Sequence, residues 1–181
     1  MKKNIGTALS LYPTPVTLVG VMIAEKPNWL EISHIGIPSH DSIMISCMKN
    51  HYSNKGIKEN KIISVSLVNE EMLEKVDFTG CNSGEKTDKS ELFDWYKGEY
   101  GSPIPKNAPL TLECEVVDNY EMDDFNNYIL RIKATLVKEE VLNEKGKPDY
   151  QKIAPVLFEF PNYSYMNLGE KINNCRFTNK K

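Results

Sequence analysis

Several signatures are missing from these 181 residues, and each absence removes a class of function. The four cysteines (Cys47, Cys81, Cys114, Cys175) are widely spaced and form no CxxC pair, which excludes zinc-ribbon and dithiol redox motifs. Free thiols in a reducing compartment are the expectation. The three histidines (His34, His40, His51) have no metal-ligand spacing on a helix, so no metal site is expected. There is no basic excess. A net charge of -3 argues against a nucleic-acid partner, which would demand a basic face. No long apolar run occurs either. Lys2 and Lys3 precede an apolar stretch, but Pro13 and Pro15 break it, and Val16 to Ala24 is far too short to cross a bilayer. No membrane contact is expected, and the reading places the protein in the cytoplasm. GxGxxG, the P-loop and the nucleophile elbow are all missing. No Ser–His–Asp or Cys–His grouping can be read from spacing, and no catalytic side chain is assigned.

What is present is a β-rich chain of one-domain length, read as a single domain over residues 1–181. Its organising stretch runs from Ile43 to Val68. Ile43 to Cys47 is a short apolar run whose length favours a buried strand. Met48 to Tyr52 then turns. Ser53 is placed to cap a helix from Asn54, and Tyr52 with Ile57 has the spacing of a hydrophobic staple. From Lys61 to Val68 the chain alternates, with Ile63, Val65 and Leu67 opposite Ser64 and Ser66.

A helix N-terminus directs free N–H groups and partial positive charge outward. Here it sits beside Ser53 and among Lys49, His51, Lys55 and Lys58, which makes a seat for a phosphate monoester. A capped surface helix with solvated lysines explains the same residues, and taken alone they favour it.

The rest of the chain supplies strands and short helices. Val16 to Ala24 is a strand, Glu25 to Asn28 a turn, Trp29 to Ile35 a strand, and Gly36 to Ser42 a loop. Asn69 caps a helix over Glu70 to Val76, and Asp77 to Lys86 is a loop rich in turn formers. Asp88 with Glu91 has the capping-box spacing for a further helix that packs Leu92, Phe93 and Tyr96 inward. Lys97 to Pro109, with its prolines and glycines, reads as a loop that is either free to close over something or simply a crossing connection. Leu110 to Val117 and Tyr128 to Val141 alternate as a hairpin, and Ala154 to Phe160 is a last strand. Antiparallel-looking strands with a few short peripheral helices predict a mainly β fold, a barrel with Greek-key connections.

Several segments, in order, resemble one family. Pro15 to Val19 resembles its opening strand. Ile45 to Ile57 is similar to its strand, basic turn and Tyr-Ser helix start. Asp77-Phe78-Thr79-Gly80 with Ser83-Gly84 and Asp88-Lys89 matches its Asp-x-x-Gly, Ser-Gly, Asp-Lys run. Leu112 to Val116 and Tyr165-x-x-Leu168-Gly169 also fit. On these segments the chain resembles the flavin reductase-like, or flavoredoxin, family of FMN-binding split β-barrels, from about Pro13 to Gly169.

The resemblance implies non-covalent FMN in a homodimer, with the flavin at the subunit interface. It implies that Asn28, Ser33, His34 and Ile35 line the ring and ribityl, and that Cys47 and Met48 run beside the ribityl chain. His51, Tyr52 and Ser53 would hold the phosphate, with Lys89 adding charge. Three positions depart from the family pattern. Met48 stands where relatives carry arginine, with Lys49 as the compensating cation. His34 stands for Trp. Glu31 stands for Thr or Ser and is expected to point away from the ligand. The implied activity is NAD(P)H-dependent reduction of bound FMN, with electrons passed to a second acceptor. The alternative is an electron carrier that does not itself oxidise NADH or NADPH.

Overall fold

The computed structural model describes residues 1–175. The basic end of the tail lies outside the described residues. Strands β1 (Thr14–Pro15), β2 (Thr17–Ile23), β3 (Lys26–Ile32), β4 (Ile35–Ser39) and β5 (Ser42–Met48) lead into helix α1 (Ser53–Asn60). Strand β6 (Ile62–Leu67) follows, then a 3-10 turn and helix α2 (Leu73–Cys81). The short strands β7 (Trp95–Lys97) and β8 (Pro103–Pro105) precede the long pair β9 (Leu110–Met122) and β10 (Phe125–Val137). A one-turn helix α3 (Tyr150–Ile153) leads to β11 (Leu157–Glu159) and β12 (Ser164–Met166).

Seven strands form one antiparallel sheet in the order β3-β2-β6-β9-β10-β5-β4. Local hairpins join β2 to β3, β4 to β5 and β9 to β10. The step from β5 through α1 to β6 jumps across the sheet, which is the Greek-key connection expected. One core packs Val19, Val21, Leu30, Ile45, Ile63, Cys114 and Leu130 together. These residues come from β2, β3, β5, β6, β9 and β10, so the sheet curls around them as a barrel.

A second core lies on the outer face. Val16, Leu18, Trp29, Val76, Phe93 and Val156 pack there beneath α2. Strands β2, β3 and β6 are therefore covered on both sides. Ser64 and Ser66 face the side opposite Ile63 and Val65, as the alternation predicts, and are fully buried there. Ser64 Oγ donates to the Pro103 carbonyl at 2.5 Å, and Ser66 Oγ lies 2.8 Å from Thr111 Oγ1, so burial leaves neither hydroxyl unpaired.

Tertiary contacts override several local expectations. The β2–β3 turn is tighter than expected and consists of Ala24 and Glu25, both left-handed at φ 48° and 65°. Lys26 to Asn28 belongs to β3. Pro27 is tolerated there because β3 is an edge strand, and Pro38 sits in β4 on the opposite edge for the same reason. Helix α2 runs on to Cys81, through residues expected to form a loop. Gly80 permits this, since a Cβ there would meet Glu31 Oε2 at 2.6 Å. The helix expected after Asp88 is not formed. Asp88 Oδ1 accepts from Ser90 N, and its other oxygen pairs with Lys26. Lys89 is drawn inward instead, and the chain enters β7.

The Lys97 to Pro109 segment is a hairpin packed on the barrel, not a loop over a cavity. Fully buried Glu113 holds it: Oε1 accepts from Tyr100 N at 3.0 Å, Ser102 N at 3.1 Å and Ser102 Oγ at 3.0 Å. Bonds to a charged acceptor are worth more than neutral ones, and removing it strands buried donors. Glu113→Ala is therefore expected to lower the unfolding free energy by about 3 kcal/mol. Denaturant titration measures this, and a loss below about 0.5 kcal/mol, inside the range of ordinary surface substitutions, contradicts it.

Candidate functional site

The turn between β5 and α1 is built by Asn54. Its Nδ2 donates to the carbonyls of Met48 at 2.7 Å and His51 at 2.9 Å. Its Oδ1 accepts from Tyr128 Oη at 2.7 Å and Asn126 Nδ2 at 3.0 Å. A buried amide with both ends engaged fixes the turn to β10. Sequence reasoning missed Asn54 because Asn126 and Tyr128, which fix its amide oxygen, lie far away in the chain.

Ser53 does not cap α1, as had been expected. It is the first helical residue, and no side chain caps the helix. Its hydroxyl accepts from Asn28 Nδ2 at 2.7 Å. The physical reason is competition: the buried amide of Asn28 needs a partner and takes the hydroxyl. In the first turn of α1, Asn54 N donates to the His51 carbonyl and Lys55 N to the Tyr52 carbonyl, both at 3.1 Å, which leaves the Ser53 N–H to an anion. The staple expectation is met in part, since half-buried Tyr52 packs on the core that contains Ile57.

A small polar cavity of about 220 Å³ opens at this helix start. His51, Tyr52, Ser53, Ser83, Gly84 and Lys89 line it. Lys89 is only 3% exposed, so it is no surface lysine. Its Nζ donates to the carbonyls of Trp29 at 2.9 Å and Thr79 at 2.8 Å, using two of three donors. Burial pulls its pKa down to about 8. His51 is lowered by burial and by the nearby charge of Lys89, so it is held neutral more readily than a free imidazole.

A larger cavity of about 570 Å³ adjoins the first, and His51, Gly80 and Cys81 line both. The β11–β12 hairpin gives it aromatic walls: Phe158, Phe160, Tyr163 and Tyr165. Ser33, His34, Ser46 and Met48 complete it on the barrel side. His34 Nε2 lies 2.9 Å from Tyr12 Oη, and burial lowers its pKa. Beyond His34 lies an outer apolar cavity of about 340 Å³ bordered by Leu9, Leu11, Ile35 and Met122.

The named residues divide accordingly. His51, Tyr52, Ser53 and Lys89 meet at the small cavity, and Ser33, His34 and Met48 at the large one. Ile35 lines only the outer cavity. Asn28 sits behind the site and positions Ser53. Cys47 is fully buried and lines none of the three; burial pushes its thiol up to about 12, and Sγ lies 3.6 Å from His51 Nδ1. Lys49 pairs with Glu121 at 2.9 Å and lines none of them either.

Glu31 does not point away. It lines the large cavity, and Tyr165 Oη lies 2.9 Å from its Oε1. Gly80 in α2 accounts for this, because only a residue without a Cβ leaves room for that carboxyl. The aromatic wall was also missed. Its only signal was the density of Phe and Tyr between Phe158 and Tyr165.

Among the described residues no group of His, Cys, Asp and Glu can hold a metal ion, and no helix is long and apolar enough to cross a membrane. Comparison with known proteins places this geometry. A family model described as flavin reductase like domain matches residues 9–166. Flavoredoxin from Methanosarcina acetivorans is 33% identical, with a TM-score of 0.93, over 99% of this chain and 98% of its own. Flavoredoxin of Desulfovibrio vulgaris (Miyazaki F) is 28% identical, with a TM-score of 0.92, over 99% and 100%. An FMN-binding protein from Thermus thermophilus, 21% identical over 96% of this chain and 97% of its own, shares the fold with a TM-score of 0.81. No curated protein sequence matches. With the family pattern over most of its length and a 33% identical relative over nearly all of it, the chain belongs to the flavin reductase-like family.

Proposed function

We propose that this chain binds FMN across the two adjoining cavities and acts as an NAD(P)H-dependent flavin oxidoreductase. The observation that carries the reading is the pairing of an aromatic cavity with a small polar one that ends on an uncapped helix and a buried lysine. The residues suit the two ends of FMN. Lys89 and the Ser53 N–H at the α1 terminus offer charge and a donor to a phosphate, and Gly84 keeps the pocket open. A Cβ there would collide with Asn28 and Tyr52. His51 and Met48 stand between the phosphate end and the ring end. Phe158, Phe160 and Tyr163 present apolar walls to a flat ring and exclude water from it.

FMN, when bound, supplies the capacity to accept a hydride and release electrons. The chain's own contribution is binding, orientation and desolvation. A nicotinamide would have to enter within roughly 3–3.5 Å of the reacting atom for hydride transfer. The apolar residues Leu9, Leu11 and Met122 are exposed around the outer cavity and suit a second copy of the chain, making a homodimer. The cysteines Cys47, Cys81, Cys114 and Cys175 are free, which suits a reducing, cytoplasmic setting.

A second reading is an electron carrier reduced by a partner. Its support is that the 33% and 28% identical structures are flavoredoxins. Anaerobic rapid mixing separates the two. The oxidoreductase reading expects NADH or NADPH to bleach the bound flavin, whereas reduction by dithionite alone leaves the carrier.

Lys89 gives a pH-dependent test of the phosphate seat. Its proton is present below about 8 and lost above, while a phosphate monoester is fully charged from about pH 7 upward. FMN affinity is therefore expected to fall as pH rises above 8, and riboflavin affinity to stay level. Lys89→Met should cost FMN about tenfold or more and riboflavin little, the size of one charge-assisted bond. Equal losses for both ligands in a fluorescence titration would put the phosphate elsewhere.

A further inference from the structure

The wall of the aromatic cavity beside α2 carries a cluster to which the flavin reading assigns no task. Tyr165 Oη lies 2.9 Å from Glu31 Oε1 and 2.7 Å from Asp77 Oδ1. A phenol has one hydrogen and donates fully to one carboxylate. The other contact is a hydrogen bond only if that carboxyl carries a proton and donates it to the phenol oxygen. The surroundings favour that state. The ion pairs among the described residues leave Glu31 and Asp77 without a cation. Lys89 is committed to the Trp29 and Thr79 carbonyls, and the Cys81 thiol sits 4.0 Å from Asp77 Oδ2. The two histidines of the cavity, His34 and His51, are both shifted toward their neutral forms. Helix α2 sits directly on the Glu31 carboxyl at Gly80. Burial raises the pKa of Glu31 and the charge of Asp77 adds to it, while the bond from Tyr165 acts the other way. Like carboxylates at one site share a proton for this reason.

We propose that Glu31, Tyr165 and Asp77 together hold one extra proton at neutral pH, and that Glu31 delivers it to an organic two-electron acceptor of the quinone class reduced in this cavity. The proposal rests on the flavin reading for its hydride donor, reduced FMN. The cluster argues for the acceptor class: Glu31 lines the cavity, and a proton donor there serves an acceptor that gains hydrogen. A metal centre taking single electrons needs none.

The step balances. Reduced FMN, when bound, would supply a hydride with its electron pair, which bonds to one quinone oxygen. The ring electrons shift, and the opposite oxygen becomes negative. The Glu31 O–H bond breaks, its pair stays on the carboxylate, and the proton bonds to that oxygen. Hydroquinone leaves, the cofactor is oxidised, and solvent returns a proton to Glu31.

Two measurements test this. Infrared spectra of the full chain, recorded without added flavin, should show a protonated carboxyl band at pH 7 that Glu31→Gln removes. In the flavin-loaded protein, the ratio of naphthoquinone to ferricyanide reduction rates should fall as pH rises and the cluster loses its proton. Glu31→Gln should lower that ratio by about tenfold or more and flatten its pH profile, within the range of a general acid. Tyr165→Phe keeps the ring beside Phe158, should lower the ratio as well, and serves if the first variant fails to fold. No band lost from Glu31→Gln, or a ratio unchanged in both variants, overturns the proposal. A chain that shows the band but takes up no flavin overturns the flavin reading and the transfer step, and leaves the shared proton standing.

Discussion

One buried amide holds the site in place. Asn54 ties the turn after β5 to the long strand β10 through Tyr128 and Asn126, and the same side chain closes the turn on itself through Met48 and His51. Everything at the small polar cavity depends on this. The direction of α1 and the position of His51 both follow from where the turn is pinned. The surrounding apolar core makes the bonds obligatory, because an unpaired amide there would cost about 1–3 kcal/mol.

Burial without counter-ions sets the electrostatics of the site. Lys89 is held by carbonyls, not carboxylates, so its pKa drops instead of rising. Glu31 is buried beside the charge of Asp77, so its pKa rises although the bond from Tyr165 acts the other way. Each group is shifted toward its neutral form. Such a site is cheap to leave empty and gains most from a ligand that brings its own charge, as a phosphate does.

The parts legible in the sequence were those governed by local pattern. Alternation over Leu110 to Val117 and after Tyr128 gave the long hairpin, and the strand–turn–helix–strand unit from Ile43 to Val68 stands nearly as read. The failures came where a distant partner outweighed local preference. The capping box at Asp88 lost to the inward pull on Lys89. Ser53 lost its capping role to Asn28. Gly80 served close packing on Glu31 and did not end the helix. The aromatic wall and the Glu31–Tyr165 contact join residues 134 positions apart, and no window of sequence brings them together.

Flavin stoichiometry tests the central claim most directly. The purified chain is titrated with FMN while flavin fluorescence is followed, and the bound flavin is then released by denaturation and identified by chromatography. The account predicts quenching that saturates at one flavin per chain and recovery of FMN, not FAD. A colourless chain that quenches no flavin fluorescence would contradict it.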